Sequence, residues 1–230
     1  MSKTFSRTDT ITRLLMREKG QQLVINELRH RTKNLLSVVL AIARQTGYVS
    51  HDVESFQCEF SQRLNGLSRS MDLLVEDGGG GAAVSGLVHS QLQPFGNIDG
   101  VRISATGPDL FLNLSATQNL GLALHELATN ALKYGALSVP EGTVTVAWQV
   151  GPGPLGSTCF RLTWREQNGP EVKPPEHAGF GQVVLQRMTG ATLGGSVSHE
   201  FHPSGVVWTL EVFSDAVLIP STDASVVGTT

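Results

Sequence analysis

Only two cysteines, Cys58 and Cys159, occur in the 230 residues, far apart and without metal-ligand spacing. That excludes a disulfide framework and a cysteine-based zinc site, and both are read as reduced structural residues. Charge is sparse too: 16% of residues are charged, and the formal net charge is -3. With no basic excess to neutralise phosphates, a general nucleic-acid binder is excluded. Long apolar runs are missing, so no stretch is expected to span a bilayer, and the N-terminus, with Asp9 and Glu18, lacks the apolar core of a signal peptide. The expected location is the cytoplasm. What remains, 40% hydrophobic residues over this length, suits one or two soluble domains with ordinary cores.

Apolar or small residues recur at Ile25, Leu28, Thr32, Leu35, Val39, Ile42 and Thr46 in alternating three- and four-residue steps. This is the heptad signature of a helix packed on others. With Ile25 and Leu28 at the a and d positions, His30 falls at f, facing away from the seam and followed by Arg31 and Lys33. Such a histidine is either merely solvated or presented to react. The helix is expected over about 8–46, with Gly47 as its C-terminal cap. Ser50 is the expected N-cap of a second helix carrying Val53, Phe56, Phe60, Leu64, Leu67, Met71 and Leu74. Together they make an antiparallel hairpin. Its uncovered stripes predict a four-helix bundle formed by a homodimer.

Gly78-Gly79-Gly80-Gly81 reads as a hinge or linker. Beyond it the pattern predicts a helix over 84–93, strands over 101–105 and 110–112, and a helix opening at Ser115-Ala116-Thr117-Gln118 in capping-box form. Strands follow over 143–150, 159–164, 196–199 and 206–213, with a helix after Gly181 among them. Helices mixed with hairpin-linked strands give an α+β class, a sandwich rather than a doubly wound sheet. The domains are therefore 1–77, a helical hairpin; 78–81, a linker; 82–214, an α/β sandwich; and 215–230, a frayed tail.

Three segments carry chemistry. On the helix through His125-Glu126-Leu127-Ala128-Thr129-Asn130-Ala131-Leu132-Lys133-Tyr134-Gly135, His125, Glu126, Thr129, Asn130 and Lys133 share one side, while Leu120, Leu124, Leu127, Ala128, Ala131 and Leu132 share the other. A solvated helix shows that split. So does one that offers an Asn, a carboxylate and a Lys to hydrated Mg²⁺ and phosphate. Next, Trp164-Arg165-Glu166-Gln167-Asn168-Gly169 runs from a strand into a tight turn; its Glu is either solvated or buried to accept from an adenine amine. Last, Gly179-Phe180-Gly181 precedes a helix, as phosphate-binding glycines do. Residues 171–178, with Lys173, Pro174 and Pro175, suit a short lid.

In this order, downstream of Glu27-Leu28-Arg29-His30-Arg31-Thr32-Lys33-Asn34, the motifs His125-Glu126-x-x-x-Asn130, Trp164-x-Glu166 and Gly179-Phe180-Gly181 closely resemble those of the HWE family of bacterial sensor histidine kinases. The resemblance covers roughly residues 18–213. It implies a dimerising histidine-phosphotransfer hairpin followed by the ATP-binding sandwich shared with gyrase- and Hsp90-type ATPases. It also implies ATP and Mg²⁺ as cofactors, and a response-regulator receiver domain as partner. By the same resemblance His30 is the phosphoacceptor, Asn130 the Mg²⁺ ligand, and Glu126 a helper at the metal shell or nucleophile. Glu166 is the adenine-contacting acid with Gly169 beside it, Gly179, Phe180 and Gly181 form the phosphate-side loop, and Lys133 is a phosphate contact. Arg31 is expected to steady phosphates or partner, and Asn34 to hold a water for dephosphorylation; His125 is a marker without a derived role. The residue after His30 is Arg31 rather than an acid, Asn168 replaces a usual Gly, and Gln182 a small hydroxyl residue. The function expected is autophosphorylation of His30 and transfer to a receiver aspartate. The alternatives are a non-catalytic phosphotransfer relay and an ATP-regulated module that phosphorylates a partner's serine. No sensor fold is visible, so input is expected from the rest of a longer chain or from a separate sensor protein.

Overall fold

A computed structural model describes residues 17, 22, 25, 29, 32–33, 35–48, 50–76, 80–172 and 183–219. The chain divides into two compact units, 1–50 and 51–230. In the first, helix α1 runs over 35–48, past Gly47 rather than stopping at it. Thr46 and Ser50 turn their hydroxyls back onto carbonyls four residues earlier, those of Ile42 and Thr46.

The second unit begins with helix α2, Val53–Glu76. Its cap is Asp52 and not Ser50: Asp52 Oδ1 accepts from the Ser55 amide at 2.7 Å, and Ser55 Oγ accepts from the Asp52 amide at 3.2 Å. A reciprocal pair of this kind meets two orphan donors at once, which a lone serine two residues earlier cannot do. The last of the four glycines already lies in a strand. Strand β1, Gly81–Ala83, pairs with β3, Phe111–Asn113, in a small antiparallel sheet. Gly81 lies so close to the Leu112 carbonyl that a side chain there is excluded. Helix α2 packs on the segments that follow it and clusters with them in the second unit.

Helix α3, Val84–Leu92, and helix α4, Leu114–Lys133, cover one face of a five-stranded sheet. The sheet comprises β2 (Ile103–Thr106), β4 (Thr143–Pro152), β5 (Thr158–Gln167), β6 (Ser196–His202) and β7 (Gly205–Phe213), in the order β2-β4-β5-β7-β6. Among the described strands of this sheet, only β2 and β4 pair in parallel. Alternation decides which face is covered: Val144, Val146 and Trp148 of β4, Phe160, Leu162 and Trp164 of β5, and Trp208, Leu210 and Val212 of β7 all point to the helices and are buried. The fold is the expected α+β sandwich. Helix α4 starts earlier than Ser115, because Asn113 caps it by accepting from the Ala116 amide at 2.9 Å. Residues 214–219 are folded rather than frayed: Ser214–Val217 is a short helix, Val217 is fully buried, and the Ile219 amide donates to the Phe111 carbonyl.

Candidate functional site

The site grows from two sequence neighbours on α4, His125 and Glu126, and from the strand end that approaches its C-terminus. The side of α4 that reads as polar is not uniformly open. His125 and Glu126 are buried, Thr129 and Asn130 half-buried, and Lys133 exposed. Leu132, expected on the packed side, is 48% exposed. The covering element is α2. Arg63 Nε donates to Glu126 Oε1 at 3.0 Å, while its Nη1 donates to Glu59 Oε2 at 2.9 Å. Two turns further along α2, Arg69 Nη2 lies 3.0 Å from His125 Nδ1. A guanidinium only donates, so Nδ1 accepts and the ring proton sits on Nε2. Burial, then the charges of Arg69 and Arg63, hold His125 neutral with its pKa down at about 4. Burial pushes Glu126 up, and Arg63 works against it by charge and by hydrogen bond.

The two helices meet closely because small residues line the crossing. A Cβ on Gly66 would stand 2.7 Å from His125 Cγ, and one on Gly121 would overlap the Ser70 hydroxyl. Gln91 of α3 locks the crossing, its Nε2 donating to the Gly66 carbonyl at 2.9 Å and to Ser70 Oγ at 3.0 Å. The junction is not fully satisfied. His125 Nε2, Arg69 Nε and Gln91 Oε1 are buried without a hydrogen-bond partner.

At the other end of α4, the Trp-x-Glu pair acts as one unit. Trp164 and Glu166, two apart on β5, share a face, and the indole Nε1 donates to Glu166 Oε1 at 3.1 Å. Glu166 Oε2 accepts from the Ala136 amide at 2.8 Å, tying β5 to the turn after α4. Gly135 presses on that carboxylate and Gly169 on Ala136, each too closely for a side chain. Burial raises Glu166, and the two donors lower it. Asn168 has φ 57°, a left-handed conformation that Asn and Gly tolerate. That is why Asn can stand where Gly is usual.

Asn130 makes no hydrogen bond through its carboxamide among the described residues, and Lys133 is exposed one turn on. This donor set fits a cation that keeps most of its water and is held mainly through phosphate, as Mg²⁺ is. It does not fit a cage of protein ligands, and no group of three or more His, Cys, Asp or Glu gathers for one among the described residues. Of the expected site residues, the structure brings Glu126, Asn130 and Lys133 onto one helix and Glu166 and Gly169 to its C-terminal turn. His30, Arg31, Asn34, Gly179, Phe180 and Gly181 lie outside the described residues, as do Lys173, Pro174 and Pro175 of the expected lid. Arg63 and Arg69 were not foreseen. Their signal was two cations on an otherwise apolar-striped helix, flanking a glycine.

Residues 27–109 match the family model described as HWE histidine kinase. Over that stretch the chain belongs to the family. It is 37% identical over 190 residues to the blue-light-activated histidine kinase of Brucella ovis, covering 83% of this chain and 39% of that protein. The like-named protein of Brucella anthropi is 36% identical over 207 residues, covering 90% and 42%. The chain thus spans about two fifths of the curated relatives it matches. In structure it resembles the histidine kinase domain of the Erythrobacter litoralis EL346 blue-light activated histidine kinase, with TM-score 0.51 and 16% identity over 77% of this chain and 83% of that one. The longer EL346 kinase gives TM-score 0.50 at 15% identity, covering 82% of this chain and 61% of that one. At these identities the likeness concerns the fold. No helix among the described residues is long and apolar enough to cross a membrane.

Proposed function

We propose that this chain is the transmitter part of an ATP-dependent protein-histidine kinase, which phosphorylates its own His30 and passes the phosphoryl group to an aspartate of a response-regulator receiver domain. The observation that best supports the reading is the junction of the Trp164-Glu166 strand end with the turn after the Asn130 helix, which brings Glu166 to the end of α4 that carries Asn130 and Lys133. In the first step a neutral imidazole nitrogen of His30 attacks the γ-phosphorus, the bond to the β-γ bridging oxygen breaks, and ADP leaves. In the second, a receiver carboxylate oxygen attacks the phosphorus, and the imidazole departs. Mg²⁺ with the nucleotide supplies neutralisation of the phosphate charge. Asn130 and Lys133 would hold that end, Glu126 would orient the metal shell or polarise the nucleophile, and Gly179, Phe180 and Gly181 would offer backbone amides. Glu166 is given two tasks, clamping the Gly135-Ala136 turn and receiving the adenine amine. Residues 1–77 are assigned to the phosphotransfer hairpin, acting as a homodimer. Arg31 steadies the phosphates, and Asn34 holds a water for dephosphorylation.

The test is incubation of the full chain with γ-labelled ATP and Mg²⁺. Acid-labile, base-stable label that disappears in His30→Ala is the expected result. No label together with no nucleotide binding would move the chain to the non-catalytic relay class.

A further inference from the structure

Glu126 answers to α2 before it answers to any nucleotide. Its carboxylate is bonded to Arg63, and the two side chains are 5% and 11% exposed. Arg63 is itself braced, since its Nη1 holds Glu59 one turn back at 2.9 Å. A carboxylate so enclosed is costly as an anion unless a counter-charge meets it. Among the described residues the charged groups that bear on it are Arg63 and Glu59 of α2 and Lys133 of its own helix. Lys133 is exposed and Glu59 repels, so the directed positive charge comes from Arg63. The next residue, His125, is gripped from the same helix by Arg69, with Gly66 flat against its ring between the two arginines. Both members of the His125-Glu126 pair are therefore seated by α2.

We propose that Arg63 is a positioning residue for Glu126: delivered by α2, its guanidinium aims that carboxylate and meets it with a counter-charge, so the site is complete only while α2 is docked. The inference rests on the kinase reading above, in which Glu126 serves the transfer to His30. It assigns α2 a part in the nucleotide-side chemistry besides its place in the hairpin. A guanidinium donates in a fixed fork, which a lysine cannot reproduce; charge and direction are thus separable by substitution.

The experiment measures initial rates of His30 labelling across pH at saturating ATP and Mg²⁺ for the full chain, Arg63→Met and Arg63→Lys, with nucleotide binding measured alongside. Arg63→Met should lose about tenfold or more at neutral pH. Its acid limb should move to higher pH, because the carboxylate then needs a more alkaline solution to ionise, while nucleotide affinity stays within about twofold. Arg63→Lys should keep the pH profile and lose rate severalfold. A wild-type profile and rate in Arg63→Met would reduce Arg63 to a packing role, and faster labelling would make α2 a restraint instead; either overturns the proposal. Should Arg63→Met not fold, an undiminished rate in Arg63→Lys overturns it equally. Label absent from the unsubstituted chain, with nucleotide bound, would sink the kinase reading itself, a failure distinct from the others.

Discussion

A carboxylate buried at the end of a strand needs donors on both oxygens, and Glu166 has them from an indole on its own strand and an amide from the turn after α4. The two-residue spacing of Trp and Glu follows from the strand itself, since only i and i+2 share a face. Replacing Trp164 by Phe keeps most of the bulk and deletes the donor. The expected loss is about 1–3 kcal/mol in urea unfolding, and nucleotide binding should weaken as the Gly135-Ala136 turn loosens. A Trp164→Phe chain with unchanged urea midpoint and affinity would show that the indole only fills space. At Asn168 the left-handed backbone permits a similar test. Asn168→Gly should be close to neutral, whereas Asn168→Val should cost about 1–2 kcal/mol, read by the same unfolding experiment.

At the scale of elements, what the sequence disclosed and what it hid divide along a physical line. Strands β4, β5, β6 and β7 were readable because apolar alternation is written locally, and each runs only a few residues beyond its expected ends. Caps were less readable: Asp52 and Asn113 compete with Ser50 and Ser115 nearby, and geometry chooses among them. The partners of His125 and Glu126 were not readable at all, since Arg63 and Arg69 lie about sixty positions away in the chain. Nor did the glycine run reveal that Gly81 enters a strand, because a run suited to a hinge is equally suited to close backbone approach. The α2 crossing itself is open to test. A Gly66→Val side chain would collide with the His125 ring, so a loss of about 1–3 kcal/mol is expected from overpacking. Gly66→Val with an unshifted thermal midpoint would mean that α2 does not lie on α4 in solution.

At the scale of the whole molecule, all three tryptophans, Trp148, Trp164 and Trp208, sit in the five-stranded sheet of the second unit. Their fluorescence therefore reports the sandwich alone, whatever residues 1–50 do. Among its described residues that unit holds two histidines depressed to about 4: His125, chiefly by burial and then by Arg69 and Arg63, and His199, by burial against Phe201, with its Nδ1 unpartnered. A depressed histidine is neutral in the fold and takes up protons more readily when unfolded. Its stability contribution is thus intact above the unfolded pKa of about 6.5 and is lost as pH falls from there toward about 4. Each ring can contribute a slope of at most about 1.4 kcal/mol per pH unit, less for the half-buried His199. Glu126 and Glu166, both raised by burial, act with the opposite sign, favouring the fold as acid protonates them. Their bonded donors hold that effect down, so the histidines should set the direction. Urea midpoints followed by tryptophan fluorescence should therefore fall between about pH 7 and pH 5. His199→Phe, which puts a ring without titration beside Phe201, should match the unsubstituted chain at the upper pH and exceed it at the lower. Parallel curves for the two proteins would show instead that His199 titrates as an exposed imidazole, and that the acid loss belongs to His125 at the α2 junction.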